Sequence, residues 1–131
     1  MKKFAMVAAV TAAIALQSVA NAGTRWTDSV SVYSSSSGGY GIGSVSTARY
    51  YTSDSSEYIG CSAATDTVSS TYIYCSATNS TGTFVGCYTS SGNEAARQAV
   101  ASINTTSLIF FEVNSAGQCT YLTVENYSSY L

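Results

Sequence analysis

Residues 71–89 have the sequence TYIYCSATNSTGTFVGCYT, which contains the clearest structural signal in the chain. Polar and apolar side chains alternate on both sides of the tetrapeptide NSTG at 79–82, whose composition is typical of a turn. Alternation among β-branched and aromatic residues predicts two β-strands joined by this turn. It also places Cys75 and Cys87 on the apolar faces of the two strands, toward the expected core.

Strands are predicted on both sides of this hairpin as well. Residues 58–63 have the same alternating pattern, and residues 107–113 and 118–124 form two further runs separated by the turn-like NSAG at 114–117. Because the run at 107–113 is apolar on both faces, we expect the terminal hairpin to lie centrally and to be covered on both sides.

One segment has helical rather than strand periodicity. Small and apolar residues recur at helical spacing there, namely Ala95, Ala96, Ala99, Val100 and Ile103. Ser91 and Glu94 match a capping box, and Asn104 is suited to the end of a helix. We therefore expect one helix over about residues 92–103, packed on the sheet through its alanines, within an α+β fold whose mainly antiparallel sheet has about five to seven strands.

The four cysteines predict two disulfides. They are Cys61, Cys75, Cys87 and Cys119, an even number in a small chain with an export signal. A zinc site is disfavoured because it usually draws on closely spaced cysteine pairs, which this chain lacks. Of the three connectivities, Cys61–Cys75 with Cys87–Cys119 is favoured because it would clamp the helix between its flanking strands, although a local Cys75–Cys87 bridge remains open.

The chain divides into three parts. Residues 1–22 are typical of a cleavable signal peptide, with two lysines, a short apolar run and a small-residue cleavage site. That run is too short for a membrane anchor, which needs about 20 apolar residues, and no later stretch could span a membrane. Residues 23–52 are rich in Ser, Gly and Tyr and are compatible with a hairpin or a loose arm. Residues 53–131 are expected to form the disulfide-stapled α+β core.

Composition excludes several classes of function. The chain has no histidine, and its only lysines are Lys2 and Lys3, so nucleophile–histidine pairs, serine–lysine dyads and Schiff-base chemistry are ruled out for the exported part. Three arginines against seven acidic residues cannot form the basic surface that nucleic acids require. We expect no metal and no cofactor.

Carboxylates are the remaining candidates for acid–base chemistry. A glycan hydrolase needs two of them within about 5 to 9.5 Å, and the candidates are Glu112 and Glu125 in the terminal hairpin region and Asp54 and Glu57 near the start of the better-defined fold. Sequence alone does not bring any two of them to that distance. Glu112 lies in the most apolar strand, but a solvent-facing position or an ion pair with Arg97 or Arg49 is the favoured interpretation. A calcium site using Asp54, Glu57 or Asp66 is disfavoured because no loop concentrates enough oxygen ligands.

Tyrosine is unusually common, with 11 in the chain. Several lie near Ser or Gly, and of these Tyr33, Tyr40, Tyr74 and Tyr88 are taken as a candidate binding surface. Tyr combined with Ser and Gly is the composition of antibody binding sites, and tyrosine rings also stack on sugars. The competing explanation is that tyrosine simply suits strand surfaces.

These observations predict an exported protein, secreted or periplasmic, that acts as a non-enzymatic binding or structural module for a protein or glycan surface. The alternatives are a small carboxylate-dependent glycan hydrolase and an inhibitor of another secreted protein. An exposed row of tyrosines would favour binding, whereas a pair of carboxylates facing into a cleft would favour the enzyme.

Overall fold

The computed structural model describes residues 29–50, 56–65, 71–89 and 93–126. The predicted signal peptide lies outside these residues. The strands are β1 (Ser31–Ser35), β2 (Gly38–Ser44), β3 (Tyr58–Thr65), β4 (Thr71–Thr78), β5 (Phe84–Thr89), β6 (Ser107–Asn114) and β7 (Cys119–Asn126). Two helices accompany them, α1 (Val45–Tyr50) and α2 (Glu94–Ala101).

The seven described strands form two antiparallel sheets rather than the single sheet expected from the sequence. One sheet has four strands in the order β1-β2-β6-β7, and the other is the meander β3-β4-β5. The α+β class with a mainly antiparallel arrangement is thus confirmed. The four-stranded sheet is built from the first and last hairpins of the chain, and the meander is inserted between them in sequence.

Two of the hairpin turns use the same residues in the same way. In the β4–β5 turn, Asn79 Oδ1 accepts the backbone N–H groups of Thr81 (3.1 Å) and Thr83 (2.9 Å), and Gly82 has φ +80°. The β6–β7 turn repeats this arrangement from Asn114 to Gly117, with φ +77° at the glycine. Glycine fits because a side chain is disfavoured at positive φ. Both turns were predicted from sequence.

The Ser/Gly-rich part of residues 23–52 also forms a hairpin, in which a short loop joins β1 to β2. β1 pairs with β2 over its whole length, and β2 then pairs with β6 from Gly38–Asn114 to Ser44–Leu108. Residues 31–44 are therefore an integral part of the four-stranded sheet, and this is the first of the two alternatives that the sequence left open for the segment.

The core lies between the two sheets. Its buried apolar residues come from both sheets and from the segment before β1, namely Val30, Ile59, Ile73, Cys75, Ala77, Val85, Cys87, Ile109 and Phe111. Phe111 is completely buried beside Gly41, its register partner in β2. A Cβ atom at Gly41 would lie 2.8 Å from two ring atoms of Phe111 and 2.9 Å from Cβ of Ala77, so glycine is what lets these groups meet.

Both predicted disulfides are present, in the favoured pairing. Cys61–Cys75 links two register partners on neighbouring strands, whereas Cys87–Cys119 joins β5 of one sheet to β7 of the other. Next to the second bridge, the Tyr88 N–H donates to the Gly117 carbonyl oxygen at 3.0 Å. The chain between Cys87 and Cys119 contains α2, as the sequence predicted, and closing so long a loop restricts the unfolded chain.

Helix α2 differs from its prediction at both ends. Asn93 is the N-cap residue, because its Oδ1 accepts the Ala96 N–H at 3.0 Å. Glu94 is therefore the first helical residue, not the third, and the predicted capping box with Ser91, which lies outside the described residues, is wrong. The helix ends at the C-cap residue Ser102 instead of Asn104.

Two further expectations about the helices and the terminal hairpin were wrong. Helix α1 follows β2 directly, where the sequence suggested only polar, β-prone chain. In the terminal hairpin, β6 is central but β7 has only one neighbour in its sheet. Helix α2 packs against the core through Ala96 and Val100, Ile103 does so just beyond the C-cap, and none of the helix residues lines the concavity on the outer face of β6.

Candidate functional site

The outer face of the four-stranded sheet carries a row of aromatic rings, one from each strand. Tyr33 and Tyr40 are 5.8 Å apart between ring centroids, Tyr40 and Phe110 are 6.2 Å apart, and Phe110 and Tyr121 are 5.7 Å apart. The sheet aligns these rings because alternate residues of each strand point to the same face. Tyr33 and Tyr121, at the two ends of this aromatic row, are both more than half exposed.

Beside the aromatic row lies an open groove with a volume of about 440 Å³. Besides Tyr121, it is lined by the largely apolar set Ile42, Leu108, Phe110 and Thr123 and by two carboxylates, Glu112 and Glu125. Strand register explains this set, since Ile42, Phe110 and Thr123 are cross-strand partners in one line. We refer to these seven residues as the acidic groove.

The register sets the two glutamates of the acidic groove far apart along the sheet. Glu112 is exposed and pairs in register with Tyr121, whereas Glu125 pairs with Leu108, four residues earlier in β6. Four residues of a strand span about 13 Å between backbone positions, whereas the carboxyl groups of a glycosidase are about 5 to 9.5 Å apart. Glu112 thus has the solvent-facing position favoured from the sequence.

Arg97, one of the two arginines considered as partners of Glu112, is engaged elsewhere. Its Nη1 lies 3.2 Å from Oε2 of Glu94 on the same helix, and both side chains are at least half exposed. The side chain of Arg49 lies outside what the structure describes.

The buried carboxylate of the described structure is Glu57. It is only 5% exposed, and its Oε2 atom has no hydrogen-bond partner. It precedes β3 directly, and the alternation of that strand puts position 57 on the same face as the buried Ile59, which is the signal that could have indicated its burial. Asp54, with which Glu57 was paired from sequence, lies outside the described residues, as does Asp66.

The outer face of the three-stranded sheet forms a second aromatic surface. Its exposed large side chains are Tyr58, Tyr72, Tyr74, Phe84 and Tyr88. The other residues on this face are Gly60, Ser62, Ala64, Ser76, Thr78 and Gly86, so no described position of the face carries a formal charge. We call this surface the neutral face.

A line of small residues crosses the middle of the neutral face. Gly60, Ser76 and Gly86 are register partners on β3, β4 and β5. At Gly86 the line is covered, because a Cβ there would lie 2.8 Å from Oη of Tyr74 and 3.0 Å from Cζ of Phe84. At Gly60 it is open, with nothing within 4 Å of such an atom. The line is therefore a shallow trough, overlain by rings at one end and empty at the other.

The four tyrosines singled out from sequence are divided between the two surfaces. Tyr33 and Tyr40 are neighbours in the aromatic row, and Tyr74 and Tyr88 are register partners on the neutral face. The structure adds residues to both groups, namely Phe110 and Tyr121 to the row and Tyr58, Tyr72 and Phe84 to the neutral face. Strand alternation already placed Tyr58, Tyr72 and Phe84 opposite the apolar face of their strands, whereas Phe110 and Tyr121 were expected to be covered. Only the tertiary structure groups these residues.

The structure and the comparisons place few further constraints on the site. Among the described residues, no three His, Cys, Asp or Glu side chains are grouped so as to hold a metal ion. Within the same ranges there is no helix of the length and hydropathy needed to cross a membrane. No family model, curated protein or solved structure matches the chain.

Proposed function

We propose that this protein is an exported, non-enzymatic binding module whose neutral face binds uncharged polysaccharide. The observation that carries the proposal is the composition of that face: five exposed aromatic rings around hydroxyl-bearing and glycine positions, without a formal charge. Carbohydrate rings present apolar C–H faces that pack on aromatic rings, and hydroxyl groups that hydrogen-bond to polar side chains.

The trough suits a flat ligand. Tyr74 and Phe84 overlie Gly86, so the glycine lets both rings lie low on the sheet at this end. The open space above Gly60 lies between the line of Tyr58 and the line of Tyr74, and Ser62 and Ser76 provide hydroxyl groups beside it. A sugar ring above Gly60 could contact an aromatic side chain on either side.

Rigidity supports binding by this surface. Strands β3 and β4 of the meander are linked by Cys61–Cys75, and β5 is fixed to the other sheet by Cys87–Cys119. Tyrosine and phenylalanine have few rotatable bonds, so ordering them on a ligand loses little conformational entropy. Two disulfides are consistent with an oxidising compartment outside the cytoplasm, and the sequence of residues 1–22 supports export there.

The alternatives gain less support. The hydrolase would require a pair of carboxylates at catalytic spacing, and the register separates Glu112 from Glu125 by about 13 Å along the strand. The neutral face carries no carboxylate at its described positions. An inhibitor would use the same exposed side chains, and it differs from the proposal in binding protein instead of polysaccharide.

The test is co-sedimentation of the full, disulfide-bonded chain with microcrystalline cellulose, chitin and insoluble xylan. We expect binding to at least one of them, and loss of that binding in Gly60→Val, which adds a side chain to the open trough at a position where a Cβ atom has nothing within 4 Å. Tyr74→Ser should also abolish binding. The matched control is Tyr33→Ser on the opposite sheet, which should bind as the unmodified protein does.

Two results would overturn the proposal. One is the absence of binding to all three polysaccharides by protein whose thermal unfolding is cooperative. The other is binding that survives Gly60→Val and Tyr74→Ser, since the neutral face would then not be the binding surface. Release of reducing sugar during the assay would show the enzyme alternative to be correct.

A further inference from the structure

The acidic groove on the four-stranded sheet has a chemistry unlike that of the neutral face on the other sheet. It combines an apolar lining, aromatic rings and two carboxylates, and no basic side chain lines it. Among the described residues neither Glu112 nor Glu125 takes part in a salt bridge. The seven described residues of the groove therefore combine negative charge with apolar surface and include no counter-charge.

We propose that the acidic groove binds an extended peptide segment of another protein, with two basic side chains four residues apart and an apolar side chain between them. The pattern is basic–x–apolar–x–basic, where x is any residue. This inference does not depend on polysaccharide binding, because it concerns the other sheet and other residues.

The spacing of the carboxylates carries the inference. Glu112 belongs to β6, and Glu125 belongs to β7, where it is the register partner of Leu108 in β6. Measured along β6, the two glutamates are therefore four residues apart. Four residues of extended chain span about 13 Å, and this holds both for β6 and for an extended peptide bound along it. A segment lying along β6 would thus bring its first and fifth side chains to the two carboxylates.

The space between the carboxylates suits an apolar residue. Phe110 lies halfway between positions 108 and 112, and its register partners Ile42 and Thr123 lie on either side of it. In an extended segment the third side chain points the same way as the first and fifth. An apolar third residue would therefore face the most apolar part of the groove.

Aromatic rings favour arginine among the basic residues at the Glu112 end. Glu112 is the register partner of both Tyr40 and Tyr121, so a cation paired with its carboxylate lies near two tyrosine rings. A guanidinium group can stack on an aromatic ring while it donates hydrogen bonds to a carboxylate. A small free cation would use only one carboxylate, which is why a peptide segment is the better occupant.

The test is an NMR titration of the full, disulfide-bonded protein with the end-blocked peptide Ser-Arg-Ser-Leu-Ser-Arg-Ser. We expect saturable shift changes at Ile42, Phe110 and Thr123, and weaker binding at high salt because exposed charges are screened. The control peptide Ser-Arg-Arg-Leu-Ser-Ser-Ser has the same composition and charge with a different spacing, and it should bind several-fold more weakly.

Substitutions of single glutamates then test which carboxylates bind the basic side chains of the peptide. Glu112→Gln and Glu125→Gln should each weaken peptide binding about three- to fivefold, the effect of one partly exposed ion pair. Glu94→Gln changes a carboxylate outside the groove and should leave binding unchanged. Gly60→Val, the variant that blocks the neutral face, should also bind the peptide normally, which separates the two proposals.

Three outcomes would overturn the inference. Equal binding of the two peptides would remove the spacing argument, and unchanged affinity in Glu112→Gln and Glu125→Gln would remove the charge argument. Saturation of the same residues by free arginine with equal affinity would show a site for a small cation instead of an extended segment.

Discussion

Adding one methyl group to β2 should destabilise the protein through the core. In Gly41→Ala the new Cβ would lie 2.8 Å from two ring atoms of Phe111, which is completely buried, and 2.9 Å from Ala77. Overpacking of this kind costs about 1–3 kcal/mol, and the lower entropy of the unfolded chain offsets about 0.4–1 kcal/mol of it. We expect a net loss of about 1–2 kcal/mol, which lowers the melting temperature of a domain this size by about 4–15 °C.

The measurement is thermal unfolding followed by circular dichroism under non-reducing conditions. Gly60→Ala is the matched control, because it is also a strand glycine but nothing lies within 4 Å of the added atom. The control should be neutral or slightly stabilising, since alanine restricts the unfolded chain.

A double-mutant cycle links the effect to Phe111. In a Phe111→Leu background the same Gly41→Ala change should cost less, because the smaller side chain leaves room for the methyl group. Equal melting temperatures for Gly41→Ala and the unmodified protein would refute the packing argument. So would an equal cost of Gly41→Ala with and without Phe111.

Two further substitutions test buried polar groups by the same measurement. Ser107→Ala should lower the free energy of unfolding by about 1–3 kcal/mol, because the buried Ser107 hydroxyl accepts the Asn104 N–H at 2.8 Å and donates to Asn126 Oδ1, and both groups would lose a partner. The control Ser102→Ala, at an exposed position, should change the free energy of unfolding by less than about 0.5 kcal/mol. Equal effects of the two substitutions would contradict this assignment. Glu57→Gln should raise the melting temperature, because a neutral amide costs less to desolvate than the buried carboxylate, one oxygen of which has no partner. The control Glu94→Gln, on the surface, should have little effect. A lower melting temperature of Glu57→Gln would contradict the prediction.

The sequence by itself determined the local structure of most of the chain. The alternating patterns identified the strands on both sides of NSTG at 79–82 and NSAG at 114–117, because a strand with one buried face must alternate. The even number of cysteines, together with the predicted signal peptide, indicated two disulfides. The helical spacing of small residues identified α2, and its N-cap was misplaced because Asn93, two residues after Ser91, is an equally good cap.

The surfaces were only partly predictable. Alternation put Tyr74 and Tyr88 on the outer faces of their strands, whereas Tyr33 and Tyr40 lie in the segment that the sequence left open as a hairpin or a loose arm. A strand pattern also does not say which strands are neighbours. The pairing of β2 with β6 brings Tyr40 beside Glu112 and Phe110, although these residues are about 70 positions apart in sequence. That pairing is what creates the aromatic row and the acidic groove.

Only the tertiary structure decided how the strands are divided into sheets. The sequence indicated one sheet, yet the first and last hairpins join to form the four-stranded sheet and the meander packs across it. The physical reason is that periodicity reports which face of a strand is buried and not what buries it. Gly41 illustrates the limit: its role depends on Phe111 and Ala77, residues from two other strands that meet it only in the folded core.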